Sequence, residues 1–199
     1  MNPRGGIRGR HIELVLFDDA SSVETARANV QAIADSPCVA VLGHYLSTVS
    51  LAAGPSYKSA RITALTGTSF VDDLTRGNEF YFRAQTTSSL QGRSSAEYLR
   101  AVRKEPKVHL IHSRDRFGSS FLEGFSRAYE PGLLSISGVD IDPAGLIGPT
   151  SELRDALASQ SGPGVIVIGM GADYIAHVVK VVRRSGVKAP IVAGGRGRP

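Results

Sequence analysis

The sequence predicts an α/β fold in two lobes, each built on a mainly parallel, Rossmann-like sheet. Three observations carry this. The spacing of apolar residues switches repeatedly between two and about 3.6, the mark of alternating strands and helices. Three short runs, 38–42, 108–112 and 165–168, are mostly apolar, as strands covered on both faces are. The strand–helix series also restarts after a join at 83–87, which divides the chain into lobes of residues 1–86 and 87–199.

In the first lobe, residues 11–17 are rich in β-formers and stop at Asp18-Asp19, which predicts a strand. Ser21 stands three residues before Glu24, a capping-box spacing, and Val23, Ala26, Val30 and Ile33 follow at helical intervals. Asp35-Ser36-Pro37 ends that helix. Residues 38–42 form the next strand, stopped by Gly43, and Ser47 can cap a helix reaching about residue 59. Residues 62–65 are a strand closed by Thr66-Gly67-Thr68-Ser69, and residues 79–83 are another.

The second lobe opens with a helix over about 88–103, followed by a buried strand at 108–112. Ser119 and Ser120 open a helix carrying Phe121, Leu122, Phe125 and Tyr129, stopped by Pro131-Gly132. Residues 134–141 alternate like a strand, and Thr150 or Ser151 opens a short helix through Leu153 and Leu157. A strand at 165–168 leads to a helix over 173–184, with Val178 and Val182 on one side and Gly186 just past its end. A strand at 190–193 closes the series.

Composition sets the outer bounds. The 199 residues are 42% hydrophobic and 21% charged, too apolar for a disordered chain. No apolar run approaches the ~18–20 residues of a membrane span. The first six residues hold no apolar stretch of the kind a secretory signal needs. A single cysteine, Cys38, excludes an internal disulfide and a Cys-clustered zinc site. The net charge of +5 permits anionic partners, but the arginines are mostly scattered or sit at helix ends, where the dipole favours them, so nucleic acid is not expected.

Parallel sheets bind ligands where strand C-termini meet helix N-termini. Four such loops here are small and polar: 43–48, 66–69, 113–118 and 169–173. Their hydroxyls and free backbone N–H groups suit a carboxylate or other anion, with Tyr45 and Phe117 placed to cover an apolar portion.

The series Gly5-Gly6-Ile7-Arg8-Gly9-Arg10, Asp18-Asp19-Ala20, Val41-Leu42-Gly43-His44, Leu74-Thr75-Arg76-Gly77-Asn78, Phe82-Arg83, Gln91-Gly92, Phe117-Gly118 and Ser185-Gly186-Val187-Lys188-Ala189-Pro190 runs almost the whole chain in order. It resembles the type I periplasmic solute-binding proteins, and within them the branched-chain amino acid (Leu/Ile/Val) binding group. The resemblance implies two lobes that close on a small ligand, an amino acid or related carboxylate, and deliver it to a membrane ABC permease or receptor. It implies a periplasmic location, no cofactor and no chemistry performed. By position, Ser47 would donate to the ligand carboxylate and Gly67-Thr68 would present backbone N–H groups. Ser69 and Phe70 would face the ligand amine or side chain, and Phe117 would cover it. Gly171 stands at a ligand position that is often aromatic in amino-acid binders, and Gly194-Gly195 stand where an acid usually pairs with the ammonium; Asp173 or Asp115 would substitute. The family chain also begins with a further strand and helix and returns to the first lobe at its end. The resemblance therefore implies an incomplete first lobe, as in a fragment or a late start in a longer reading frame.

Each reading has a plainer counterpart. Ser47 serves equally as a helix cap, Phe117 as core, and Cys38 as core. His109 and His112 lie three apart on one strand, face opposite ways, and cannot share a metal. His44 borders the predicted cleft. Asp18-Asp19 could hold a divalent cation, but their place beside Ser21 suits the start of a helix. No nucleophile elbow, P-loop or His-Glu-x-x-His motif occurs, and Gly169-x-Gly171-x-x-Tyr174 lacks the third glycine of a dinucleotide loop. The functional alternative to transport is a ligand-sensing domain of a regulatory protein, or a fragment of either without function of its own.

Overall fold

In the computed structural model, residues 2–104, 107–129, 134–140 and 164–194 are described. They build two parallel sheets. The first has three strands, β1 (Ala40–Leu42), β2 (Thr63–Thr66) and β3 (Tyr81–Arg83), in the order β1-β2-β3. Period-two alternation sorts its side chains into registered rows. Val41, Ala64 and Tyr81 form one row, facing helices α1 (Val23–Ala34) and α2 (Ser47–Ala60). There Ala26, Val30 and Ile33 of α1 meet Val49, Ala53 and Tyr57 of α2 in the first core. Leu42, Leu65 and Phe82 form the other row, and it is open to solvent: Leu42 is 76% exposed and Phe82 51%.

Three expectations fail here. Residues 38–42 do not form a strand covered on both faces. Among the described residues β1 has a neighbour on one side only, and Val39 is 91% exposed. Residues 11–17 form no strand. A strand needs a ladder partner as well as β-formers, and none lies beside this segment among the described residues. Instead the Asn2 side chain brackets Ile12, donating to its carbonyl at 2.7 Å and accepting from its N–H at 2.9 Å, and Leu16 is 92% exposed. The cap of α1 is Ser22, not Ser21: its hydroxyl accepts from Thr25 N–H at 3.2 Å. Ser21 has φ +57°, whereas a capping residue must be extended.

The second sheet has four parallel strands in the order β5-β4-β6-β7: β4 (Val108–Ser113), β5 (Leu134–Val139), β6 (Val165–Gly169) and β7 (Ile191–Gly194). β4 and β6 are central and wholly buried, which explains their nearly continuous apolar sequences. Helices α3 (Ser88–Tyr98) and α4 (Arg116–Ala128) cover one face, where Phe121 and Phe125 pack on Val108, Leu110, Val165 and Val167. Helix α5 (Ala172–Arg184) covers the other, placing Val178 and Val182 on Ile111, Ile166 and Ile168.

The helix expected over 88–103 is α-helical only to Tyr98. A single π turn, Leu99–Arg103, continues it and ends at left-handed Lys104. Helix α4 begins before Ser119. Asp115, with extended backbone, is its cap and accepts from Gly118 N–H at 2.9 Å. The predicted stop at Pro131-Gly132 and the short helix after Thr150 or Ser151 lie outside the described residues.

Candidate functional site

Parallel pairing brings the C-terminal ends of β1 and β2 side by side, so the loops that follow them meet. His44 is the centre of that meeting. Its carbonyl accepts from Thr66 Oγ1 and Thr68 Oγ1, each at 3.1 Å, and from Ser50 Oγ at 3.4 Å. Its N–H donates to Tyr81 Oη at 3.2 Å, and that hydroxyl in turn donates to the Gly43 carbonyl. Its ring is buried. Nδ1 lies 2.6 Å from Asp19 Oδ2 and Nε2 lies 3.0 Å from Tyr57 Oη.

The residues expected to hold ligand surround this knot. Ser47 is the first residue of α2 and not its cap. Leu46 takes the capping place and makes no side-chain cap bond. The opening N–H groups of such a helix have no intrahelical acceptors. Ser69 Oγ donates to Ser47 Oγ at 3.2 Å. Thr68 Oγ1 also donates to the Tyr45 carbonyl at 2.9 Å, and the N–H groups of Thr68 and Ser69 both donate to Thr66 Oγ1. The Gly67 carbonyl accepts from Gln85 Nε2. Ser47 and Thr68 are half-buried, Tyr45 and Gly67 exposed, and Ser69 buried. Tyr45, Ser47, Gly67, Thr68 and Ser69 are therefore brought together.

Phe70 and Phe117 meet each other, edge to face with ring centres 5.8 Å apart, and both are buried in the second core. Phe117 continues into a column of rings through Phe121, Phe125 and Tyr129. Gly171 caps α5, two residues past Gly169, so it shares the C-terminal end of the second sheet with the loop before Phe117. A Cβ at Gly194 would lie 2.2 Å from the Phe121 ring, which fills the space above that strand end. Asp115 is not a free acid: it caps α4 and accepts from Ser113 Oγ at 2.7 Å. The Asp173 side chain and Gly195 lie outside the described residues.

Electrostatics follow from these contacts. Burial works against the Asp19 carboxylate, but the His44 hydrogen bond, the Ser21 N–H and the His44 charge together hold its pKa below the ordinary value. Burial pushes the Tyr57 and Tyr81 phenols up, so both remain hydroxyls that donate or accept. Among the described residues no cluster of three His, Cys, Asp or Glu could hold a metal, and no helix is long and apolar enough to cross a membrane. The Thr68 N–H, expected to face the ligand, is taken by Thr66, so what the site offers is the Ser47 hydroxyl and the opening backbone N–H groups of α2, chemistry suited to an anion such as a carboxylate.

A family model described as periplasmic binding protein matches residues 1–198. The chain belongs to the periplasmic binding protein family. Relatives within it include the Leu/Ile/Val-binding protein of Escherichia coli K12, 28% identical over 134 residues, a match covering 67% of this chain and 35% of the relative. The leucine-specific-binding protein of Salmonella typhimurium is 28% identical over 191 residues, covering 94% of this chain and 51% of the relative. Among solved structures, an ABC transporter substrate-binding protein from Desulfitobacterium hafniense in complex with Leu superposes with a TM-score of 0.78. It is 26% identical, with 96% of this chain and 57% of that chain covered. The chain thus spans about a third to a half of the length of these curated relatives.

The sequence reading missed Tyr57 and Tyr81 and weighed Asp19 as a cation ligand or the start of a helix, not as a partner of His44. These residues converge on His44 from separate elements, so no local spacing signals the cluster.

Proposed function

We propose that this chain is the ligand-binding part of a solute-binding protein. In this reading residues 1–86 and 87–199 are two lobes that close on an amino acid or related carboxylate and pass it to a membrane ABC permease, in the periplasm and without chemical change to the ligand. The observation that carries the reading is the convergence of the Ser47 and Ser69 hydroxyls, 3.2 Å apart, at the uncapped start of α2 in a chain of this family. Ser47 Oγ accepts from Ser69 and keeps its own proton to donate to a carboxylate. Thr68 and Gly67 form the neighbouring rim, and Tyr45 covers the outside. Phe70 of the first lobe and Phe117 of the second form the wall behind, and Gly171 adds a ligand position at the C-terminal end of the second sheet. Relatives named for leucine, isoleucine and valine make branched-chain amino acids the first ligands to try.

A thermal melt with and without amino acids and small carboxylates tests this. A ligand at 100 times its Kd stabilises by ~2.7 kcal/mol, which raises the midpoint by roughly 5–10 °C for a chain of this size. Ser47→Ala removes a hydrogen bond to a charged group, of about 1.5–3 kcal/mol, and should weaken binding about ten- to a hundredfold. Phe117→Ala is the poorer probe because it also hollows the second core. A melt indifferent to every ligand in the set, or unchanged affinity in Ser47→Ala by calorimetry, removes the proposal.

A further inference from the structure

We infer that Asp19 is a positioning residue for the ligand site, acting through His44. This rests on the reading of the site given above, and it concerns residues outside the predicted pocket. Asp19 lies in the turn before α1, and its carboxylate divides its work. Oδ1 accepts from Ser21 N–H at 2.8 Å, and Oδ2 meets His44 Nδ1 at 2.6 Å. With Nδ1 committed to the carboxylate, Nε2 is left to face Tyr57 of α2 at 3.0 Å. The ring is thereby fixed at both ends, between the start of one helix and the interior of the next.

The His44 backbone is the part that reaches the site. Its carbonyl gathers the hydroxyls of Thr66, Thr68 and Ser50, and its N–H is held by Tyr81. Thr68 is a rim residue, and Ser47 stands three residues beyond His44 on the same loop. Any rotation of the His44 peptide therefore moves both loops of the pocket at once. A buried histidine with both ring nitrogens engaged is held more firmly than one with a free end, and the Asp19 bond is its shortest contact. Removing Asp19 leaves Nδ1 without its acceptor in a buried place, and the ring must turn to find another. No ligand need touch Asp19 for this to matter, since binding groups displaced by about an ångström lose much of their effect.

The test compares the chain with Asp19→Ala, Asp19→Asn, Tyr57→Phe and Val30→Ala, using L-leucine as the calorimetric probe and amide hydrogen exchange on the ligand-free protein. Asp19→Ala should weaken leucine at least tenfold and speed exchange in residues 44–47 and 66–69, with the second sheet unchanged. Asp19→Asn keeps an acceptor for Nδ1–H and should stay within threefold of the parent. Tyr57→Phe, which frees the other end of the ring with little change of shape, should weaken binding about threefold and serves if Asp19→Ala does not melt cooperatively. Val30→Ala loosens α1 without touching His44 and should lower the melting temperature with affinity within twofold. Unchanged affinity and exchange in Asp19→Ala would overturn the positioning role, as would equal losses in Val30→Ala. If the parent chain binds neither leucine nor any carboxylate, the proposed function fails, and the exchange arm still decides whether Asp19 fixes the two loops.

Discussion

Gly124→Ala is the sharpest test of how the second core is built. Gly124 of α4 rests so closely on α3 that a Cβ there would lie 1.9 Å from the Ser89 carbonyl oxygen and 2.6 Å from its carbon. The contact is reciprocal, because a Cβ at Gly92 of α3 would lie 2.1 Å from the Phe121 carbonyl oxygen. Backbone blocks both positions, so no rotamer change gives relief. The helices would have to part until 1.9 Å became at least 3.4 Å, lifting Phe121 and Phe125 from the sheet. Overpacking of this kind costs about 1–3 kcal/mol, at the upper end when backbone must move, and the better helix propensity of alanine offsets about 1 kcal/mol. The net loss of about 2 kcal/mol should lower the melting temperature by roughly 4–8 °C for a chain of this length. Circular dichroism melts measure it, with Ser94→Ala on the exposed side of α3 as a control expected within ~0.5 kcal/mol of the parent. A Gly124→Ala midpoint equal to or above the parent would refute the close crossing.

Two further outcomes follow, one from burial and one from exposure. Burial lowers the His109 pKa. The folded form therefore holds His109 neutral, and the unfolded chain takes up its proton near the ordinary imidazole value of 6.5, so this contribution is complete above that pH and is lost as the pH falls towards the folded value. In His109→Leu, the drop in melting temperature between about pH 7.5 and 5.5 should be smaller than in the parent chain, and an equal drop would count against the assignment. Leu42→Lys should leave stability within ~0.5 kcal/mol while reducing concentration-dependent association, read by light scattering, because it breaks the open row with Leu65 and Phe82 at a sheet edge.

How far the sequence foretold the structure depended on how local each cause was. β4 and β6 were legible because both faces are covered and every residue must be accommodated in the interior. Phe121, Phe125, Val178 and Val182 were legible because helical spacing alone puts them on one face. Residues 11–17 were misread because β-propensity is a property of the segment, whereas a strand is a property of the pair. The start of α4 was misread for a related reason: Ser119 and Ser120 are acceptable caps chemically, but the extended backbone that capping needs occurs at Asp115. In the site, Ser47 and Thr68 came into view through the family pattern and through polar loops at strand ends. The Asp19–His44 contact joins residues 25 positions apart and leaves no trace in local spacing. The packing of Phe117 on Phe70 had no local signal either, because Phe70 arrives from the first sheet, 47 positions earlier in the chain.

Phe70 has one more consequence. Its chain neighbours close the loop of the first sheet, its ring completes the interior of the second, and its carbonyl receives the Ser88 N–H at the start of α3. A cut at 86/87, the obvious place to express the two halves separately, would leave one product with an orphaned aromatic ring in water and the other with a hole at the end of its ring column. The halves are stitched together by a residue belonging to one in sequence and to the other in packing.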